Sequence, residues 1–236
     1  MSGLGHGAAG GLAATVPATI ENWRPILPVP EGVSLEIPGA RRSAPAQLWR
    51  YKDASSRLLG AVCRWVTPKG KRILPLTYCE NAKGERTWRF KQFPEPRPLY
   101  RLDDLAARSS ATVLICEGEK AADAAASLFP NMVATTSPGG ANAAGKTDWS
   151  PLAGRDVVIW PDNDEPGAVY AEAVARLAHG VGARLVRVVK IPAGFPDHWD
   201  LADPLPEAIG ADDLRALLHA AEAREGPPSS SKNAAA

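Results

Sequence analysis

Two short apolar runs in this sequence each end in carboxylates. VLIC is followed by Glu117 and Gly118, and VVIW is followed by Pro161, Asp162, Asn163 and Asp164. A run of four or five apolar residues bounded by turn-forming residues reads as a buried strand of a parallel sheet. In open α/β sheets the ligand site lies outside the carboxyl ends of the strands. Two such strands side by side would bring Glu117, Asp162 and Asp164 together. Three converging carboxylates repel one another unless a cation joins them. Mg²⁺, a hard ion that takes oxygen ligands, keeps several waters and bridges to phosphate, suits such a group, with Mn²⁺ as its substitute. Gly118 permits a tight turn after Glu117, and Gly167 sits just inside the helix behind the aspartates, where close backbone approach is expected. Each motif also has a plainer reading: Glu117 as a helix-capping residue, and Asp-Asn-Asp before Pro-Gly as turn chemistry.

A second stretch, GANAAGKT at 140–147, fits G-x-x-x-x-G-K-[ST], the phosphate loop of nucleoside triphosphatases. That loop must open a helix, because the helix N-terminus supplies part of the anion site. Pro151 and Gly154 follow within a few residues, and the next strand begins near Asp156, so no long helix fits. An ATPase, with the acid after VVIW holding magnesium, is the least favoured reading. The segment reads instead as a loop beside the acidic group. Gly139, Gly140 and Lys146, together with Lys120 one turn after Gly118, are nucleotide-phosphate candidates, and Lys120 also reads as part of a solvated helix face.

The elements that would position these residues alternate. TVLIC (112–116), MVATT (132–136), DVVIW (156–160) and ARLVRVVKI (183–191) read as strands. GEKAADAAASLF (118–129), PGAVYAEAVARLAHG (166–180) and DDLRALLHAAEA (212–223) read as helices. This is the pattern of a parallel sheet flanked by helices. Before it, residues 47–93 hold about four short runs rich in β-branched and aromatic residues. DASS, TPKGK and ENAKGE separate them, as in an antiparallel meander. LYRLDDLAAR reads as a short helix or turn joining the two units. The expected domains are an arm at 1–45, Gly/Ala-rich then Pro-rich, a basic β-rich subdomain at 46–110, the α/β unit at 111–223 and a linker-like tail at 224–236.

The net charge of +1 conceals a division. Residues 41–110 carry 16 Lys+Arg against 6 Asp+Glu, whereas residues 111–236 carry 10 against 17. A basic unit beside an acidic one points to a polyanion partner for the first. Arg57, Arg64, Lys71, Arg72, Arg86, Arg89 and Lys91 are the candidate phosphate contacts, interleaved with Trp49, Trp65, Trp88 and Phe90. Single strands bind to a basic groove with stacking aromatics, although each tryptophan taken singly reads better as core. Three cysteines without C-x-x-C and four scattered histidines exclude a disulfide framework and a cysteine-rich zinc site. No apolar run approaches the roughly 20 residues that span a bilayer, and the N-terminus lacks the features of a secretory signal. A cytoplasmic chain with no membrane partner is expected.

In combination these motifs resemble the Toprim module of DNA primases, as in bacterial primases and phage primase–helicases. VLICEGE resembles the strand carrying Glu-Gly, DNDEPG resembles D-x-D-x-x-G, and SPGGANAAGK resembles the glycine-containing loop between them. HWDLAD, 198–203, stands where these primases carry a further acidic motif, which adds Asp200 and Asp203 as accessory metal candidates. YKDASSRLLGAVCRW and the strands after it resemble the basic subdomain that precedes Toprim, so the likeness covers roughly 47–205. It implies Mg²⁺-dependent synthesis of short RNA primers from ribonucleotides on single-stranded DNA, with Glu117, Asp162 and Asp164 catalytic. A Toprim nuclease using the same carboxylates, or a non-catalytic module binding single strands or a helicase, are the alternatives. One departure is that the family's aspartate four residues after the glutamate is replaced by Ala121, with Asp123 two further on. Another is that the zinc-binding module of these primases has no counterpart here. A fragment of a larger protein, or a chain working with a separate partner such as a replicative helicase, is expected.

Overall fold

The computed structural model describes residues 22–40 and 43–226. The arm expected over 1–20 and most of the expected tail, 227–236, lie outside the described residues.

Among the described residues there are two sheets. The first is antiparallel and built from the meander: β2 (Gln47–Lys52), β3 (Leu58–Thr67), β4 (Gly70–Glu80) and β5 (Arg86–Arg89), with a two-residue strand β1 (Arg24–Pro25) beside the end of β4. Within the described proline-rich stretch only that short edge segment forms a strand, as its missing N–H groups require, while Val29, Val33, Leu35 and Ile37 pack onto one face of the sheet. The four-strand meander turns where expected: DASS lies between β2 and β3, while TPKGK and ENAKGE contain the other two turns, with Thr67, Gly70, Lys71 and Glu80 taken into the flanking strands.

α1 (Leu102–Ala107) leads into the second sheet, which is formed by β6 (Val113–Cys116), β7 (Val133–Thr135), β8 (Asp156–Trp160), β9 (Leu185–Val188) and β10 (Glu222–Ala223) in the order β10-β9-β8-β6-β7. β6 to β9 are parallel, and β10 is antiparallel to β9. Alternation across the pleat sends Leu114, Cys116, Val158 and Trp160 to one face. There α2 (Glu119–Leu128) and α4 (Ala211–His219) pack. Val113, Ile115, Val157 and Ile159 point to the other face, under α3 (Glu165–Gly180). Every residue of β6 is buried, which is why that strand reads as an unbroken apolar run.

One expectation is corrected. The last helix ends at His219 rather than Ala223, and Glu222–Ala223 turn back to pair with Val188 and Arg187. Alanine-rich composition favours helix, but Arg224 is held in ion pairs to Glu172 and Glu222 and its N–H donates to the Val186 carbonyl. Tertiary pairing here outweighs local propensity.

The two sheets share a core. Trp49 and Tyr51 of β2 lie in the same cluster as Ala121, Ala122 and Ala125 of α2. Their polar ends are fixed as well. The Tyr51 hydroxyl donates to Glu119 at 2.8 Å, and the Trp49 indole donates to Asp123 at 2.9 Å. Arg155, buried, donates to the carbonyls of Leu105, Arg108 and Ala111, tying the end of α1 to the start of β8. Among the described residues no helix is long and apolar enough to cross a membrane.

Candidate active site

β6 and β8 are neighbours, with Cys116 opposite Trp160. The chain therefore leaves both strands at one level, and Glu117 emerges beside Pro161 and Asp162. Gly118 follows with φ +87°, a conformation that disfavours any side chain, and its N–H donates to the Thr136 hydroxyl. The chain thus turns at once into α2. After β8, Asp164 caps α3 by accepting from the Gly167 N–H at 2.7 Å. A Cβ on Gly167 would stand 2.4 Å from the Asp162 carbonyl oxygen, so only glycine lets the helix start so close to the Asp162 backbone.

Above the strand ends lies a cleft of about 590 Å³ between the two sheets, lined on one side by Glu117, Lys120, Asp162, Asp200 and Asp203. Gly139 and Gly140 form part of the same wall. The opposite wall is the antiparallel sheet, and its period of two sorts the basic candidates. Val62, Arg64, Lys71 and Ile73 face the cleft. Arg72, opposite Trp65 in the β3–β4 register, alternates to the other face. That other face packs a separate core with Cys63, Leu76 and Trp88 at its centre and Trp65 against it. Arg57 and Arg86 are absorbed by ion pairs with Asp53 and Glu80, and Arg89 lies over the Trp23 ring. None of Arg57, Arg72, Arg86, Arg89 and Lys91 lines the cleft. Trp88 is buried, and Phe90 is exposed with its ring edge-on to Trp65.

Electrostatics mark the cleft floor. Asp162 is pushed up to about 8, first by burial and then by the charges of Glu117, Asp200 and Asp164, with Lys71 opposing. Glu117 is raised by burial and by Asp164, and its Oε2 is buried without a hydrogen-bond partner. Asp164 differs. Partial burial pushes it up, but the His198 hydrogen bond, the Gly167 N–H and the charges of His198 and Lys71 outweigh that and leave it lowered. Its Oδ2 lies 2.5 Å from His198 Nδ1. Lys71 acts on all three carboxylates from across the cleft.

The residues present fit a hard divalent cation: the donors are oxygens, one carboxylate oxygen is buried and unpaired, and burial together with neighbouring carboxylates raises Asp162. Among the described residues no three acidic, histidine or cysteine side chains are already drawn into a ready-made metal cluster, and Asp164 is engaged by His198 and by its cap. Asp203 accepts from Lys120 at 3.1 Å, so these two candidates neutralise each other. Lys146 pairs with Glu95 at 3.2 Å from the end of a short 3₁₀ turn, Ala141–Lys146. Because no α-helix opens behind that turn, GANAAGKT is not a P-loop; among the described residues of the stretch, Gly140 lines the cleft and Lys146 does not. Asp123 holds Trp49 and Tyr100 on the antiparallel-sheet side of α2 and is no part of the cleft lining. His198 was not legible as a site residue: its αL backbone (φ +60°) and its contact with Asp164 arise from the loop's path.

No family model matches the chain, and no curated protein matches it significantly. Solved structures do match. The crystal structure of the Aquifex aeolicus primase zinc-binding and RNA polymerase domains aligns at 17% identity over 75% of this chain and 40% of that one, with a TM-score of 0.51. A DnaG primase catalytic domain bound to single-stranded DNA aligns at 17% identity over 75% of this chain and 51% of that one, with a TM-score of 0.50. The chain spans about half the length of that catalytic domain and less of the Aquifex chain. The class defined is thus a mixed α/β fold with a helix-flanked parallel sheet and a preceding antiparallel sheet. It is the fold of the DNA primase catalytic domains with which the chain aligns.

Proposed function

We propose that the chain is a primase-type nucleotidyltransferase core that synthesises short RNA primers on single-stranded DNA during replication, using Mg²⁺ or Mn²⁺. One observation carries the reading: Glu117, Asp162 and Asp200 share the floor of a cleft whose opposite wall supplies Arg64 and Lys71. A phosphoryl-transfer site needs that pairing, with acids to hold the metal and bases to hold the nucleic acid and triphosphate. Glu117 and Asp162, with Asp164 and Asp200 beside them, would hold the ion. Bound there, it would neutralise phosphate charge and activate the primer 3′-hydroxyl. Arg64 and Lys71 would align template and triphosphate against the floor. Ionised Asp162 is the competent form, because a protonated carboxyl is a poor ligand for a hard cation.

The test is primer synthesis on single-stranded DNA with labelled ribonucleotides and Mg²⁺ or Mn²⁺. Oligoribonucleotides of a few residues are expected, lost in Glu117→Gln and Asp162→Asn. Template shortening instead of primer formation would make the chain a nuclease. Binding without either product would favour a non-catalytic single-strand module, and one observation speaks for that second reading: both oxygens of Asp164 are engaged by protein partners. A replicative helicase as partner, and action in the cytoplasm, accompany the primase reading.

A further inference from the structure

Asp162 and Asp164 are separated by Asn163, a position to which the proposed chemistry gives no task. Its side-chain amide spends both N–H groups on the loop that carries HWDLAD: Nδ2 donates to the Phe195 carbonyl at 3.1 Å and to the Pro196 carbonyl at 2.8 Å. The backbone repeats the contact in both directions. Asn163 N–H donates to the Trp199 carbonyl at 3.0 Å, and the Asn163 carbonyl accepts from the His198 N–H at 3.1 Å. Four hydrogen bonds thus join one residue to a loop that has no helix or strand of its own between β9 and α4.

The bonds end where Asp200 begins. Beyond Trp199 the loop is ordered by itself: Ala202 N–H donates to Asp200 Oδ1 at 2.6 Å, and Asp200 N–H donates to Asp203 Oδ2 at 3.1 Å. The ring of Trp199 meets Phe195 at 4.8 Å. His198, held with φ +60° between these anchors, is in a strained conformation that persists only where its surroundings over-determine it. The loop so held presents Asp200 to the cleft, where its charge acts on Asp162.

We propose that Asn163 is a positioning residue for the site: it ties the aspartate pair after β8 to the HWDLAD loop, so that Asp200 is delivered to the floor already occupied by Glu117 and Asp162. The inference rests on the cation-binding reading of that floor. Only an uncharged side chain with two donors performs this task. An aspartate of the same shape has no donor at neutral pH and sets an anion against two carbonyl oxygens.

The test uses the full chain in three forms, wild type, Asn163→Asp and Asn163→Ala, with thermal unfolding to confirm that each is folded. Hydrogen exchange of the metal-free protein is read over 195–200, and Mn²⁺ binding is read by electron paramagnetic resonance. Both variants should exchange faster over 195–200 with the remaining sheet amides unchanged, and both should bind Mn²⁺ about 10-fold more weakly or worse. Asp200→Asn should weaken Mn²⁺ binding in the wild type but change it less than about 2-fold in the Asn163→Asp background, because the carboxylate is no longer delivered. Unchanged exchange over 195–200, an isosteric Asn163→Asp indistinguishable from wild type, or additive effects of Asn163→Asp and Asp200→Asn would each overturn the proposal. Should both variants fail to fold, Asn163→Ser, a smaller one-donor residue, must reproduce the loop-confined exchange, or the proposal fails. Exchange is measured without metal, template or nucleotide, so its outcome stands apart from whether primers are made.

Discussion

Replacing Gly167 by alanine separates helix propensity from site construction. In an exposed helix interior, Gly→Ala stabilises by up to about 1 kcal/mol. Here the new methyl would lie 2.4 Å from the Asp162 carbonyl oxygen and 2.9 Å from its nitrogen, against an ordinary C···O contact of roughly 3.3 Å. Backbone must therefore move by about 1 Å, and both sides of the clash are main chain, so no rotamer change relieves it. Overpacking of this kind costs about 1–3 kcal/mol, which leaves a net loss of up to about 2 kcal/mol after the propensity gain. For a chain of this size the melting temperature should fall by up to about 8 °C. The moved atoms belong to Asp162 and, through the 2.7 Å cap, to Asp164, so primer synthesis should fall more than stability does. Misplacement by 1 Å can cost on the order of 100-fold in rate. The control is Gly180→Ala at the end of the same helix, where a Cβ meets nothing within 4 Å. That variant should be neutral or gain up to about 1 kcal/mol. Calorimetry and single-turnover primer synthesis on both variants decide the matter. A Gly167→Ala protein as stable and as active as Gly180→Ala would refute the close-approach argument.

The remaining predictions concern charge. Asp162 has its pKa raised above the unfolded value, so its contribution to stability is fully present below about pH 4 and is lost as pH rises toward about 8; His198, also raised, acts in the same direction. Metal-free protein should therefore lose stability between pH 5 and 8. Asp162→Asn should flatten that slope by about 1–2 kcal/mol once solvent screening is allowed for, as denaturant unfolding at several pH values would show; an unchanged slope would deny the crowding of carboxylates. Lys71→Ala should raise the KM for ribonucleotides while lowering the Mn²⁺ concentration needed for half-saturation, because one cation leaves the acidic floor. Arg72→Ala, on the other face of the same strand, should do neither, and steady-state kinetics with a metal titration will tell. Arg155→Ala should cost about 3 kcal/mol by orphaning three carbonyls, with Arg155→Lys recovering only part; a chemical melt equal to wild type would show the clamp to be idle.

The strands VLIC and DVVIW and the carboxylates that end them were legible because a buried parallel strand needs apolar side chains on both faces, and a polar residue marks where burial stops. The rejection of GANAAGKT as a P-loop was legible too, since Pro151 and Gly154 leave no length for a helix. The turns of the meander announced themselves through residues that tolerate tight backbone conformations. Other features depend on contacts between residues far apart in sequence, which no local pattern records. The adjacency of β6 and β8, with β7 sent to the edge, sets the distance from Glu117 to Asp162, and it is fixed by how α2 and α3 cover opposite faces. The assignment of Lys71 to the cleft and Arg72 away from it follows from strand phase, which one residue of register would invert. The engagement of Asp164 by His198, of Lys120 by Asp203 and of Asn163 by the 195–199 carbonyls depends on the path of an irregular loop. Composition and spacing set which residues could do chemistry here; packing decided which of them face one another.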